Sequence, residues 1–307
     1  MTDISVEKIK HLNNKPPKFK QIIYPVPIKP NIQRPYYCCC AIGCRGSGKT
    51  FAVVKMLKNA EESGFINPET NEKTAIRHIL FSTTIEGNPI FDTLKYLDEE
   101  DKHSDYSEGT LADILEELKE ERAYTKHYNE YVKAYKAYSK MSDRQFSRWT
   151  DREAIMLLTS YDFIHYEELE KPKYPNGCIT NIILDDVLSS KEAFTNKKCS
   201  ILNKSILNGR HYGVNMIICS QNLKSITKCI RLNTQVWMLF RFKSLKTILD
   251  DLYPEVSNIL TEEQFIKIYE YATENDNDFL CIDEKDEKEN RFKKNLDTII
   301  KLKNISL

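Results

Sequence analysis

The stretch Tyr36-Tyr37-Cys38-Cys39-Cys40-Ala41-Ile42-Gly43-Cys44-Arg45-Gly46-Ser47-Gly48-Lys49-Thr50 decides how the chain is read. Its first half, apolar and bounded by Pro35 and Gly43, reads as a strand buried on both faces. Its second half fits G-x-x-x-x-G-K-[ST], and Lys49 to Ser63 then shows helical periodicity through Phe51, Val54, Met56 and Leu57 before Gly64 stops it. A strand, a glycine-rich turn and a helix form the context in which that pattern binds phosphate. Of only 9 glycines in 307 residues, three (Gly43, Gly46 and Gly48) fall in this turn, where backbone freedom is needed. Glycines let backbone N–H groups converge on phosphate oxygens, and the helix N-terminus adds positive potential. Lys49 would neutralise the β- and γ-phosphates, and Thr50 would offer a hydroxyl to Mg²⁺. The candidate nucleotide-binding residues are therefore Gly43, Cys44, Arg45, Gly46, Ser47, Gly48, Lys49, Thr50 and Phe51.

Such a site also needs a carboxylate near the loop to serve the metal, and Asn181-Ile182-Ile183-Leu184-Asp185-Asp186 runs an apolar strand into two acids. Asp185 is read as the metal-side acid. Asp186, pointing the opposite way on an extended chain, is read as the group that polarises the attacking water. The bland alternative is that the two acids cap the next helix. A strand at His78 to Ser82 precedes the acidic one, and the strand Met216 to Cys219 after it ends in polar Ser220-Gln221. Gln221 is placed to touch both the γ-phosphate and the water, as P-loop ATPases with an added central strand require. No N-K-x-D motif supports a GTPase, and no L-S-G-G-Q signature supports a transporter-type ATPase.

A fifth strand, Gln235 to Phe240, completes a set that alternates with helical stretches. The expected fold is α/β: a P-loop NTPase of the additional-strand class, with a central, mostly parallel sheet and helices on both faces. A long helical insertion interrupts it at about 94–160. Within it, Leu111 to about Met141 reads as one helix whose apolar stripe (Leu111, Ile114, Leu115, Leu118) continues as Tyr124, Tyr128, Tyr131, Tyr135 and Tyr138. Lysines 126, 133, 136 and 140 flank the rings, so the stripe is either a core or subunit seam, or a DNA-facing or lid surface.

Three parts are expected: an arm at 1–35, an ATPase domain at 36–260, and a C-terminal part at 261–307. The arm holds six of the 11 prolines and seven basic against two acidic residues, which excludes a continuous helix. It is read as a strap over the core or as a nucleic-acid-contacting arm. The C-terminal part is expected to form an edge strand Phe279 to Ile282, an acidic turn and a closing helix to Leu307. Lys plus Arg and Asp plus Glu are each 45, so bulk charge does not attract nucleic acid, although local patches still can. The first fifteen residues lack the apolar segment of a signal peptide, and nine cysteines without zinc spacing suit buried free thiols in a reducing, intracellular setting. No membrane span is expected.

The run Arg210-His211-Tyr212-Gly213-Val214-Asn215-Met216-Ile217-Ile218-Cys219-Ser220-Gln221 resembles the R-x-x-G-[IV]-[HN] run into a strand ending in [ST]-Q of the FtsK/HerA superfamily of DNA-translocating ATPases. With the Gly43 to Thr50 loop, the Asp-Asp strand end and Ile230-Arg231-Leu232-Asn233 leading into Val236 to Arg241, the chain is most similar to the genome-packaging ATPases of large DNA viruses and virophages, over about 36–245. The resemblance implies that Lys49 and Thr50 bind Mg-ATP, that Asp185 serves the metal and that Gln221 senses the γ-phosphate. Asp186 stands where many members have Glu, which shortens its reach to the water. The resemblance further implies a pentameric or hexameric homo-oligomeric ring acting on double-stranded DNA. Capsid or portal-vertex proteins would be its partners, and the host cytoplasm, virus factory or virion its location. In such rings a neighbouring subunit supplies an arginine, for which Arg210 comes first and Arg231 second; either could instead form a plain surface ion pair. The alternatives are a conjugation or repair translocase of the same superfamily, and a scaffold whose assembly nucleotide binding gates through the tyrosine stripe.

Overall fold

The computed structural model describes residues 24–140, 169–187, 200–256 and 260–301. The arm before residue 24, the insertion at 141–160 and the extreme C-terminus from 302 lie outside the described residues.

Five parallel strands form the centre: β2 (Cys38–Ile42), β4 (Glu72–Ser82), β6 (Cys178–Asp185), β7 (Val214–Ser220) and β8 (Val236–Phe240). Their spatial order is β4-β6-β7-β2-β8, so β7 lies between the loop-bearing strand and the acidic strand, as the additional-strand reading requires. On the β4 side, antiparallel β3 (Phe65–Asn67) and then β1 (Val26–Pro27) extend the sheet, while the short β5 (Lys102–His103) pairs with β4.

Alternate residues of the buried strands feed two separate cores. Cys38, Cys40, Ile42, Ile182, Leu184, Ile218 and Leu239 face one side, where α2 (Glu108–Ser139) and α3 (Ile201–Tyr212) pack through Leu111, Leu115 and Leu202. Cys39, Ala41, Ile183, Ile217, Cys219 and Met238 face the other side, against Ala52, Val53 and Met56 of α1 (Lys49–Ser63). Each strand buried this way needs no polar face, which is why the sequence shows runs rather than alternation.

One row on the α1 side is polar. His78, Asn181 and Asn215 are register partners across β4, β6 and β7 and are all buried. Asn215 Nδ2 donates to Asn181 Oδ1 (2.7 Å), and Asn181 Nδ2 donates to His78 Nδ1 (3.1 Å). That leaves the His78 Nε2–H to donate to Glu61 Oε1 of α1 (2.9 Å). At the other end Asn215 Oδ1 accepts from the backbone N–H groups of Tyr36 and Tyr37. Every donor and acceptor in the row that points inward is thereby matched, as buried amides require.

The α2 tyrosines do not all pack into this chain's own core: Tyr131 is buried, but Tyr124 is 39% exposed and donates to the Glu170 carbonyl (2.7 Å). The apolar stripe ends with Leu118, and beyond it the helix lies over the 169–177 segment, where Asn129 also donates to the Pro175 carbonyl. At the C-terminus, β9 (Phe279–Asp283) pairs antiparallel with β8 and is not an edge. In place of a closing helix, the described residues form a hairpin of β10 (Phe292–Lys294) and β11 (Thr298–Ile299). Asn295 turns it at φ 57°, and fully buried Lys293 is held by Asp286 (2.8 Å). The open flank of β9, which β10 completes, favours strands there over the expected helix.

Candidate functional site

The parallel strands all end at one rim, and the glycine loop sits there between β2 and α1. Gly46 and Gly48 have φ of 78° and 89°, values that favour glycine. Gly43 has no such φ; close packing fixes it instead, because a Cβ there would lie 2.5 Å from Phe240 Cβ. Its N–H donates to the Ser220 carbonyl (3.2 Å), tying the loop to the end of β7. Lys49 is buried and folds back, donating to the carbonyls of Gly43 and Cys44 at 3.0 Å each. The buried Ser47 Oγ finds no partner among the described residues. An unmatched hydroxyl, a buried ammonium and two left-handed glycines are what a phosphate group would satisfy. Arg45 and Phe51 are exposed beside the loop, Phe51 by 62%.

Asp185 closes β6 on the α1 face, buried, with Thr50 Oγ1 donating to its two oxygens at 3.3 and 3.4 Å. Burial raises this carboxyl above its ordinary value. The adjacent Cys219, the Thr50 hydroxyl and the charge of Lys49 oppose the rise, and Asp186 adds to it. The Cys219 thiol is pushed well up by burial and then by the neighbouring Asp185. Among the described residues no group of three or more His, Cys, Asp and Glu could by itself hold an ion. A hydroxyl and one carboxylate instead fit Mg²⁺ that brings phosphate and water ligands with it.

Asp186 is not extended, so the alternation argument for it fails. It lies one residue past β6 at φ 52°, and this left-handed turn presents its side chain at the rim. There Gln221 Nε2 donates to Asp186 Oδ1 (3.2 Å). The loop with Thr50, Asp185 with Asp186, and Gln221 thus converge from three separate segments.

The two arginines lie elsewhere. Arg210 is in the last turn of α3, just before β7 begins, and Arg231 in α4 (Lys228–Leu232), just before β8; both are at the opposite rim, roughly 20 Å along the sheet. Arg210 is exposed and has no ion-pair partner among the described residues. Arg231 donates to Glu255 (3.0 Å) and to the Ile226 carbonyl (3.1 Å), so its own chain already engages it.

Sequence reading missed the far wall of the loop. Asn277, at φ 66° in the turn before β9, packs against Gly48, and Arg241 after β8 donates to the Glu274 carbonyl (2.6 Å). Nothing in the local sequence marks a contact between residues so far apart. A cavity of about 420 Å³ lined by Glu61, Gly64, Arg77 and Lys95 lies at the far end of α1 and is separate from this site.

No protein-family model matches the chain, and no curated protein does. The chain is distantly similar to solved structures. One is the genome packaging NTPase B204 of Sulfolobus turreted icosahedral virus 2 in complex with sulfate (TM-score 0.44, 11% identity, 88% of this chain and 100% of that one). Another is the pCW3 conjugation coupling protein TcpA with ATPγS (TM-score 0.37, 17% identity, 82% of this chain and 58% of that one). A third is the N-terminal domain of the zonular occludens toxin of Neisseria meningitidis (TM-score 0.33, 13% identity, 69% and 80%).

Proposed function

We propose that this chain is an ATP-hydrolysing motor that assembles as a homo-oligomeric ring and translocates double-stranded DNA, packaging a viral genome into its capsid. The observation that carries the ATPase part is the paired geometry at the rim, Thr50 with Asp185 and Gln221 with Asp186, beside a glycine loop whose lysine is buried. Thr50 and Asp185 would hold Mg²⁺, which supplies charge neutralisation to the phosphates when bound. Lys49 would leave the two loop carbonyls for the phosphate oxygens. Asp186 would accept a proton from water, with Gln221 fixing both the carboxylate and the water. The translocation and packaging parts rest on the resemblance of Arg210 to Gln221 and its companion motifs to DNA-translocating ATPases. In a ring, the rim that carries exposed Arg210 would meet the neighbour's site and supply a cation in trans, whereas Arg231 is the weaker choice because Glu255 holds it.

ATP turnover measured against duplex DNA concentration at low salt tests the reading. Stimulation that falls as salt rises is expected, because phosphate contacts release counterions. Lys49→Ala should abolish turnover while melting like the unaltered protein. Retained turnover would overturn the site, and a DNA-independent rate would overturn translocation.

A further inference from the structure

The glycine loop lies between two halves of the rim. Gln221 and Asp186 stand on the side of β6 and β7, where the γ-phosphate and the water would be read. A nucleotide seated on the loop in that direction carries its nucleoside toward the other side, where β8 and β9 lie.

Two side chains on that side have no structural task. Asn277, in the turn before β9, is exposed, and its amide has no hydrogen-bond partner among the described residues, although its Oδ1 would lie 3.2 Å from a Cβ at Gly48. The turn is held by its neighbour instead: Asp278 accepts from Asn275 (2.9 Å), Asn295 (3.0 Å) and Lys294 (3.0 Å). Phe51, in the first turn of α1, leaves its ring 62% exposed. One turn further on, Lys55 pairs with Asp297 of the β10–β11 hairpin (3.6 Å), so the face of α1 that carries Phe51 also looks toward β9.

We propose that Phe51 and Asn277 form the base-binding wall of the nucleotide site, Phe51 as the face on which the base stacks and Asn277 as the amide that reads its edge and selects adenine. This rests on the nucleotide reading of the loop. Stacking on an aromatic ring suits any base, so selection falls to Asn277. A carboxamide sets one donor beside one acceptor, which matches N7 and the N6 amino group of adenine, whereas guanine offers two acceptors, N7 and O6, on the same edge.

The test is calorimetric titration of the full chain with three ligands: a non-hydrolysable ATP analogue, the corresponding GTP analogue, and inorganic tripolyphosphate, which has neither base nor sugar. The unaltered protein should bind the ATP analogue at least about fivefold more tightly than the GTP analogue. Asn277→Gly, which tolerates the φ of 66°, and Phe51→Leu should each weaken the ATP analogue about tenfold and leave tripolyphosphate binding unchanged. Both positions are exposed, so the melting temperature should hold in both variants. Unchanged affinity for the ATP analogue in either variant would overturn the proposal, as would an equal loss of tripolyphosphate binding or the absence of any preference over the GTP analogue. If the unaltered chain binds neither the ATP analogue nor tripolyphosphate, the nucleotide site itself is wrong, and this proposal falls with it.

Discussion

Gly43→Ala should harm this protein more than its unremarkable backbone angle suggests. The added Cβ would meet Phe240 Cβ at 2.5 Å, Ser47 Oγ at 2.7 Å and Phe240 Cγ at 3.2 Å. Carbon atoms in contact prefer about 3.5 Å or more, so the first overlap amounts to about 1 Å. Ser47 can rotate away, but Phe240 Cβ cannot. It is fixed to the backbone of β8, which pairs with β2 on one side and β9 on the other, and its ring packs on Phe279 at 4.9 Å. The loop must therefore yield, at about 1–3 kcal/mol for overpacking of this kind. For a chain of this size that lowers the melting temperature by roughly 2–10 °C. Moving the loop also spoils the N–H cradle, so the stabilisation that ATP or an analogue confers on melting, which follows ligand concentration over Kd, should largely vanish. Gly46→Ala serves as the stability control: no atom lies within 4 Å of its added Cβ, and only its φ of 78° resists, at about 1–2 kcal/mol. Thermal melts with and without nucleotide read both effects. A Gly43→Ala protein that melts within a degree of the unaltered one and keeps its nucleotide shift would refute the packing argument.

Other outcomes follow from the same geometry. Asp186→Asn should retain nucleotide binding while single-turnover hydrolysis falls about 10²- to 10⁴-fold, the range of a lost general base; an unchanged rate would remove Asp186 from that role. Arg231→Ala should cost about 2–4 kcal/mol in denaturant unfolding, because it strands partly buried Glu255, whereas Arg210→Ala should stay within about 0.5 kcal/mol. Mixing Arg210→Ala with Lys49→Ala subunits should recover turnover if Arg210 acts on a neighbour, and no recovery would assign it elsewhere. Burial raises the Asp278 carboxyl, but hydrogen bonds from Asn295, Asn275 and Lys294 outweigh it and hold the group at about 2. Its contribution is therefore present above its unfolded value and is lost as pH falls toward 2, so Asp278→Asn and the unaltered protein should differ in stability at pH 6 and converge near pH 2.

The sequence carried the central architecture because burial on two faces leaves so little choice. A run such as Cys38–Ile42 can only be an inner strand, and a glycine loop between it and α1 has one geometry. The acidic strand and the extra strand beside it were legible for the same reason. What escaped depends on partners distant in sequence. The charged start of β4, Glu72–Arg77, is a strand because β3 and β6 flank it. The C-terminal hairpin exists because β9 offers an unpaired side. The turn of Asp186 and the contact of Asn277 with Gly48 are set by left-handed residues, and asparagine and aspartate adopt that conformation without a local signature. Arg231, the second choice after Arg210, is engaged by Glu255 from a different helix, which nothing near it in sequence marks.

The polar row of His78, Asn181 and Asn215 bears on how the sheet is assembled. Parallel strands drawn from across a long chain meet late, and a shift by two residues keeps every side chain on its correct face, so apolar packing alone rejects it weakly. In this sheet such a shift would set Asn181 against Ile217 or His78 against Ile183, leaving amides buried with nothing to bond, at about 1–3 kcal/mol for each group. Only one alignment of the three strands matches all of them. The row therefore penalises a slipped alignment in a core otherwise built of interchangeable aliphatic side chains.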